Sequence, residues 1–179
     1  MTIRLHPLEG IPEVYEGDVL PTLLLDALTR LPFSVQTGDV LVVAQKIVSK
    51  AEGCSRSLDS VAVTPKALEF AEKTHKDPRL VALILEESTA VVRAAPGVLI
   101  VRHRCGYICA NAGIDASNVP GSDQGTVLLL PKDADASARA LRGRLVDHLG
   151  VDIGVLIADS FGRPWRQGVT NTVIGASGV

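Results

Sequence analysis

The stretch GVLIADSFGRPWRQG, residues 154–168, places several reactive side chains directly after an apolar run. The run ends at Asp159, Ser160 comes next, and Arg163 follows. A carboxylate beside a hydroxyl offers the oxygen ligands that hard cations such as Mg²⁺ and Mn²⁺ prefer. A serine after a strand is also typical of a nucleophile elbow. A third interpretation is a polar loop in which the aspartate bonds its own backbone.

A second carboxylate, Asp115, has a similar setting in the segment NAGIDASN, just past another predicted strand. A Mg²⁺ or Mn²⁺ ion that is bound by one or two carboxylates completes its shell with water and substrate phosphates. Asp115 and Asp159 therefore form a candidate metal site, with the hydroxyl of Ser160 as a further ligand. The alternative interpretation is that both aspartates only form turns.

Basic residues near these segments indicate an anionic ligand. Lys50 follows the apolar run 39–44 within the segment QKIVSKAE. If that segment is helical, residues four apart share a face, as Gln45 and Ser49 would. Lysine supplies a point charge for phosphate, and arginine, such as Arg163, binds phosphate or carboxylate in a bidentate manner. Solvated surface charge is the alternative, and it is weaker for Lys50 and Arg163, which lie beside Gly-rich or acidic segments.

Several standard sites are absent from the sequence. No glycine precedes a lysine, no two glycines are two residues apart, and no histidine begins an H-E-x-x-H motif. These absences exclude a P-loop, a Rossmann fingerprint and a zincin motif. The segment ADSFG is one residue away from the G-x-S-x-G elbow. However, Pro164 and Gly168 disfavour the helix that an elbow serine opens, and the last histidine, His148, precedes Ser160.

The composition narrows the classes of partner. The 179 residues carry a net charge of −2, and only 3% are aromatic, so neither a basic field nor stacking platforms for nucleic acid are expected. The amino-terminal residues do not resemble a secretory signal, and no apolar run is long enough for a membrane span. Three cysteines without a C-x-x-C pair indicate reduced thiols. We therefore expect a cytoplasmic protein without nucleic-acid or membrane partners.

Hydrophobic periodicity and capping residues predict the helices. A helix over 19–31 has Asp18 as its expected N-cap, and a helix over 133–149 ends at Gly150. Thr64 and Asp77 each precede a proline and predict two further helix starts.

Apolar β-branched runs predict the strands. A short strand is expected at residues 2–6, and the continuous run 39–44 predicts a strand buried on both faces. Further strands are expected from AVV, VLIVRHR, YICAN, TVLLL and DIGVLIAD, with a tight turn at Cys105-Gly106 and a long loop over 113–125. The mixture predicts an α+β (mixed α/β) fold with mixed sheets and flanking helices. Because the apolar end TNTVIGASGV needs a partner to cover it, we expect another subunit there or a longer natural chain.

Several long segments together resemble the coenzyme F420-0:gamma-glutamyl ligase family. They are EGIPEV, GDVLVVAQKIVSKAEG, DPRLVALILEES, CANAGIDASNV, LLLPKDADASARALR and LIADSFGRPWRQGVTNTVIGASGV, which occur in this order from about residue 3 to the end. The resemblance implies a family-specific fold, neither P-loop nor Rossmann, over one domain region, 1–179. It also implies that the family's chain continues beyond residue 179 and carries a third metal ligand and part of the nucleotide loop there.

The resemblance assigns roles to particular residues. It implies that Asp115, Asp159 and Ser160 hold a divalent metal, Mn²⁺ or Mg²⁺, and it also allows K⁺. In the chemistry that the family would carry out, we expect Lys50 and Arg163 to act as catalytic residues that add cationic stabilisation. The positions that match GTP contacts are Pro12, Glu13, Val14, Tyr15, Gln45, Lys50 and Asn118.

The resemblance implies a homodimeric ligase that uses GTP to join L-glutamate to the lactyl carboxylate of a deazaflavin precursor and can add further glutamates. The reaction would pass through an acyl phosphate and release GDP and phosphate. Two alternatives stay open: a metal-dependent phosphohydrolase that uses the same aspartates, and a non-catalytic nucleotide-binding module if the 179 residues are the complete chain.

Overall fold

The computed structural model describes residues 3–116, 121, 125–162 and 168–179. The helices are α1 (Leu20–Thr29), α2 (Gln45–Ala51), α3 (Pro65–Thr74), α4 (Pro78–Glu86) and α5 (Ala134–Leu149). The strands are β1 (Val40–Ala44), β2 (Ser55–Ser57), β3 (Ser88–Ala95), β4 (Val98–His103), β5 (Ile108–Ala110), β6 (Thr126–Leu128), β7 (Gly154–Gly162) and β8 (Val169–Ser177). This order of helices and mixed sheets confirms the predicted α+β class.

The chain divides into two compact units. The first comprises Met1–Gly53, Asp133–Ala158 and Val173–Val179, and the second comprises Cys54–Lys132 and Asp159–Thr172. Strands β7 and β8 run from one unit into the other. No helix of the described residues is long and apolar enough to cross a membrane.

The first unit is organised around the strand order β1-β7-β8. Strands β1 and β7 are parallel, and Ala44 lies opposite Ala158 at the carboxyl end of β1. Helix α1 packs against α5 and α2. Strand β8 packs closely against the start of α5. A Cβ atom on Gly175 would stand only 2.2 Å from the carbonyl oxygen of Ala134. Only glycine permits this approach, and Ala176 N–H donates to Asp135 Oδ1 at 2.8 Å beside it.

Strand β1 corrects the expectation that the run 39–44 is buried on both faces. Val43 is buried, but the side chains of Val40 and Val42 are 48% and 60% exposed. The physical reason is that β1 lies at the end of the strand order, and the face that carries Val40 and Val42 is uncovered. An apolar run therefore predicts a strand, but it does not predict whether both faces of that strand are buried.

The amino-terminal part departs from the sequence prediction in two places. Residues 3–6 have no regular secondary structure, so the strand expected at 2–6 is wrong for its described part. Asp18 does not cap α1, because Val19 is the N-cap residue. Instead Asp18 Oδ2 accepts a hydrogen bond from Tyr15 N–H at 2.8 Å, so its carboxylate stabilises the turn that precedes the helix.

The second unit contains two antiparallel sheets in its described part. One has the strand order β3-β4-β5, and the other pairs β2 with β6. Helices α3 and α4 pack together and against β3. Both predicted caps are confirmed, since the side chain of Thr64 accepts from Ala67 N–H and that of Asp77 accepts from Arg79 N–H. The core of this unit includes Val81, Leu83, Ile84, Leu99 and Val101.

An ionic contact fixes the predicted turn between β4 and β5. Glu87, which ends α4, accepts from Arg104 Nε at 2.8 Å and lies 3.5 Å from Nε2 of His103. The imidazole of His103 and the guanidinium of Arg104 hold the pKa of Glu87 at about 2, against burial, which raises it. The distance from Nε2 of His103 to the Glu87 carboxylate is too long for a well-formed hydrogen bond. The bond from Arg104 is therefore the stronger of the two contacts.

Candidate functional site

Helix α2 carries two of the predicted nucleotide-binding residues, Gln45 at its start and Lys50 near its end. This confirms the helix on which their spacing depended. The side chain of Gln45 is buried, and its Oε1 accepts a hydrogen bond from Ser49 Oγ at 2.8 Å. The shared face of Gln45 and Ser49 is therefore an internal contact of the first unit.

Lys50 forms an ion pair with Glu13, a residue of the predicted nucleotide-binding segment 12–15. The two side chains differ in burial, since Lys50 is 8% exposed and Glu13 is 55% exposed. A buried ammonium needs an anionic or polar partner, because its transfer from water is otherwise strongly unfavourable. Lys50 is therefore not a solvated surface charge but a fixed positive charge inside the first unit.

One residue of the segment 12–15 is buried and the other three are exposed. Val14 is buried, whereas Pro12, Glu13 and Tyr15 are exposed. Shortly after the segment, Gly17 N–H donates to the carbonyl of Ala51 at 3.1 Å, which ties the chain to the end of α2. The structure thus brings residues 12–15 to the same end of α2 as Lys50.

Asp115 lies in the second unit with its backbone paired in both directions to Leu128. Asp115 N–H donates to the carbonyl of Leu128 at 3.0 Å, and Leu128 N–H donates to the carbonyl of Asp115 at 2.8 Å. The backbone of Asp115 therefore forms an antiparallel bridge with Leu128. This bridge fixes the position from which the carboxylate projects.

A left-handed segment precedes Asp115. Asn111, Ala112 and Gly113 have φ angles of 51°, 55° and 70°. A Cβ atom on Gly113 would stand 2.8 Å from Cδ1 of Leu130, so both the conformation and the packing require glycine there. Two consecutive non-glycine residues in this conformation are costly, and such strain persists only where the surrounding structure imposes it.

Asp159 and Ser160 lie within β7, which continues to Gly162. This corrects the expectation that the strand ends at Asp159 and that a loop carries the pair. The polar residues terminate the apolar pattern but not the extended backbone. Asp159 therefore does not form a turn, and Ser160 does not stand on the strand-to-helix corner that a nucleophile elbow requires.

Ser160 Oγ donates a hydrogen bond to Asn171 Oδ1, on β8, at 2.8 Å. The proton of the hydroxyl is directed to an amide oxygen, which cannot act as a general base. This bond removes the remaining support for a nucleophilic serine. It leaves the lone pairs of the oxygen directed elsewhere, which is the arrangement that a cation ligand needs.

The carboxylate of Asp159 influences a buried thiol on β5. Burial and, to a smaller extent, the negative charge of Asp159 raise the pKa of Cys109 to about 11, although a backbone hydrogen bond with Gly113 lowers it. The carboxylate of Asp159 therefore lies within electrostatic range of the Cys109 thiol. The thiol itself is 1% exposed and stays protonated, so it is neither a metal ligand nor a nucleophile.

The donor set of Asp115, Asp159 and Ser160 fits a hard cation, because all three residues offer oxygen. Among the described residues, no group of three or more His, Cys, Asp or Glu side chains is arranged to hold a metal ion. Two carboxylates and a hydroxyl would hold Mg²⁺ or Mn²⁺ together with substrate oxygens and water, which complete the shell. Such a shell is usual for metal ions that act on phosphates.

The structure describes most but not all of the predicted site residues. Asn118 and Arg163 lie outside the described residues. The candidate nucleotide-binding residues that are described belong to the first unit, and the three candidate metal-binding residues belong to the second.

Sequence reasoning missed three residues that support the second group. They are Asn171, which accepts the proton of Ser160, and Cys109 and Gly113, which flank Asp159 and Asp115. No local sequence pattern identifies Asn171 as a site residue, because its partner, Ser160, lies on another strand. Gly113 did carry a local signal, since a glycine two residues before a candidate ligand often marks a close approach of the backbone.

Comparison with known proteins identifies the family of this chain. The family model described as F420-0:Gamma-glutamyl ligase matches residues 10–179. A relative in Methanopyrus kandleri, named coenzyme F420:L-glutamate ligase, is 46% identical over 178 residues, which is 99% of this chain and 68% of the relative. Proteins of the same name in Methanothermobacter thermautotrophicus and Archaeoglobus fulgidus are 41% and 42% identical over 179 residues, with 70% and 68% of their own lengths covered. The chain therefore belongs to the F420-0:gamma-glutamyl ligase family.

Proposed function

We propose that this protein is a GTP-dependent ligase that joins L-glutamate to the carboxylate of coenzyme F420-0, with further γ-glutamyl additions possible on the product. The observation that carries the proposal is the match along nearly the whole chain to relatives named coenzyme F420:L-glutamate ligase. The buried ammonium of Lys50 beside the segment 12–15 supports an anionic ligand in the first unit.

The reaction requires activation of a carboxylate, because an amine cannot expel an oxide from it. In the proposed chemistry a carboxylate oxygen of F420-0 attacks the γ-phosphorus of GTP, the bond to the bridging oxygen breaks, and GDP leaves. The amine of glutamate then attacks the carbonyl carbon of the acyl phosphate. Phosphate leaves with the bonding electron pair, the nitrogen loses a proton, and the amide remains.

The first unit would bind the nucleotide. Lys50 would place a fixed positive charge against a phosphate group. The attraction between the two becomes stronger as negative charge develops on the transferred oxygens. Pro12, Glu13, Val14 and Tyr15 would line the nucleotide beside it, and Gln45 would hold the start of α2 in place. Asn118 is assigned to nucleotide binding through the family resemblance, and Arg163 to cationic stabilisation because a guanidinium suits phosphate and carboxylate groups.

The second unit would hold Mn²⁺ or Mg²⁺ through Asp115, Asp159 and Ser160. When bound, such an ion neutralises charge on phosphate oxygens and orients them for in-line displacement. The antiparallel bridge of Asp115 and the position of Asp159 within β7 hold both carboxylates on fixed backbone. Asn171 keeps the Ser160 proton turned away, so the hydroxyl oxygen can face the cation.

A mass measurement separates this proposal from its alternatives. The protein is incubated with GTP, Mn²⁺, F420-0 and L-glutamate. The masses of the deazaflavin product and of the nucleotides are then determined by mass spectrometry. A product heavier by one glutamyl residue, formed together with GDP, supports the ligase. Loss of GTP without that product indicates a phosphohydrolase, and binding of GTP without turnover indicates a nucleotide-binding module.

A further inference from the structure

We propose that Glu13 is an internal competitor for the anion site at Lys50. Its carboxylate holds the ammonium when no nucleotide is bound, and it leaves when a phosphate group of GTP takes its place. The carboxylate of Glu13 would then lower the affinity for the nucleotide, although the backbone of residues 12–15 lines the nucleotide. This inference rests on the proposed role of Lys50 in nucleotide binding.

The burial of the two side chains shows which partner can exchange. Lys50 projects from α2 and is 8% exposed, so its ammonium cannot reach bulk water without a change in the first unit. Glu13 is 55% exposed, so its carboxylate can turn into water and regain full solvation there. The ammonium of Lys50 is therefore an anion-binding site that Glu13 fills, and the Glu13 carboxylate can leave it for water.

The backbone around Glu13 allows this rotation without unfolding. Val14 is buried directly after it, and the bond from Gly17 N–H to the carbonyl of Ala51 fixes the chain to the end of α2. On the other side, the guanidinium of Arg30 donates to the carbonyls of Glu9 and Gly10 at 3.1 and 3.2 Å. The Glu13 side chain therefore moves on a chain that is held at both ends.

Charge decides the direction of the exchange. A carboxylate offers one negative charge and two oxygens, whereas a terminal phosphate carries up to two charges and three oxygens. The same ammonium therefore prefers the phosphate, but it must first lose Glu13. The apparent dissociation constant equals the intrinsic constant divided by the fraction of molecules in which Glu13 has left the site. A pairing preference of about 1.4 kcal/mol would correspond to a tenfold penalty.

The test is the dissociation constant of GTP, measured by calorimetric titration with Glu13→Gln, which keeps the shape of the side chain and removes its charge. We expect the affinity for GTP to rise about tenfold. The matched control is Glu16→Gln, which removes the same charge three residues later and should leave the affinity within twofold. An unchanged or weaker affinity in Glu13→Gln would overturn the inference, provided that circular dichroism shows a folded protein.

A second variant separates failure of this inference from failure of the proposed function. Lys50→Gln should weaken GTP binding about tenfold or more, and adding Glu13→Gln to it should then change nothing, because the site of competition is gone. If Lys50→Gln binds GTP as the unaltered protein does, the nucleotide role of Lys50 is wrong. If Lys50→Gln weakens binding while Glu13→Gln alone leaves it unchanged, only the competitor role of Glu13 is wrong.

Discussion

The carboxylate of Asp159 on β7 lies close enough to the thiol of Cys109 on β5 to raise its pKa. Cys109 begins the short stretch that passes through the left-handed Gly113 to the bridged residue Asp115. Asp159 is therefore within electrostatic range of the strand that precedes Asp115, the other candidate metal-binding residue, along the chain. The proposed metal site itself rests on the family resemblance and on the oxygen donors that Asp115, Asp159 and Ser160 offer.

Asp159→Asn should weaken binding of Mn²⁺ in the presence of GTP by at least about tenfold, because it removes a charged oxygen ligand. The binding is measured by electron paramagnetic resonance of free Mn²⁺, and ligation should fall with it. Asp147→Asn is the control, since Asp147 is an exposed residue on α5. Equal Mn²⁺ affinity in Asp159→Asn and Asp147→Asn would show that Asp159 is not a ligand.

The hydroxyl of Ser160 should be needed for its oxygen and not for nucleophilic attack. Ser160→Ala should lower the Mn²⁺ affinity and the ligation rate, whereas Ser160→Thr, which keeps the oxygen and suits a strand, should retain most of both. No covalent intermediate should be trapped on this residue by mass spectrometry of the intact protein. Loss of activity in Ser160→Thr as complete as in Ser160→Ala would argue against the ligand role.

Gly113→Ala should destabilise the second unit by about 2–4 kcal/mol, because a side chain is strained at positive φ and its Cβ would press on Leu130. Unfolding in urea measures the change. Gly143→Ala is the matched control, since a Cβ atom there meets nothing within 4 Å. Because Gly143 lies inside α5, that change should stabilise the protein by about 0.5–1 kcal/mol. A neutral Gly113→Ala would contradict the described packing.

The Glu87 contact predicts how stability depends on pH. The pKa of Glu87 falls from an ordinary 4.5 to about 2 in the folded chain, so its contribution is fully present above 4.5. It is lost as the pH falls from about 4.5 towards 2, because the unfolded chain binds the proton first. The pH-dependent part amounts to at most about 3 kcal/mol in the free energy of unfolding.

Unfolding curves at several pH values compare the unaltered protein with Glu87→Gln and with Glu72→Gln, an exposed control. The difference between the unaltered protein and Glu87→Gln should shrink as the pH falls below 4.5. Glu72→Gln should show no such trend. A difference that stays constant down to pH 2 would mean that Glu87 is not ionised in the contact described.

Local signals predicted the helices of this chain well. Thr64, Asp77 and Gly150 mark helix ends because capping depends on a few neighbouring residues, and each acts where the sequence placed it. The α+β class followed from the same periodicities. Both depend on interactions within one segment, which a single sequence carries.

Predictions that depended on distant partners were less accurate. The β-branched residues of β1 could not reveal that Val42 faces an uncovered side of the sheet. Asp159 interrupts the apolar pattern, but its backbone stays extended because β7 continues beside β8. The pair of Lys50 and Glu13 joins a helix to a segment without regular structure, and no local rule relates the two.

The central claim, phosphoryl activation of a carboxylate for attack by glutamate, is tested most directly by isotope transfer. F420-0 labelled with ¹⁸O in its lactyl carboxylate is incubated with the protein, GTP, Mn²⁺ and L-glutamate, and the released phosphate is analysed by mass spectrometry. The account predicts one ¹⁸O atom in each phosphate and one glutamyl amide for each GDP. Phosphate that carries oxygen from the solvent in place of the label, released without amide, would contradict it.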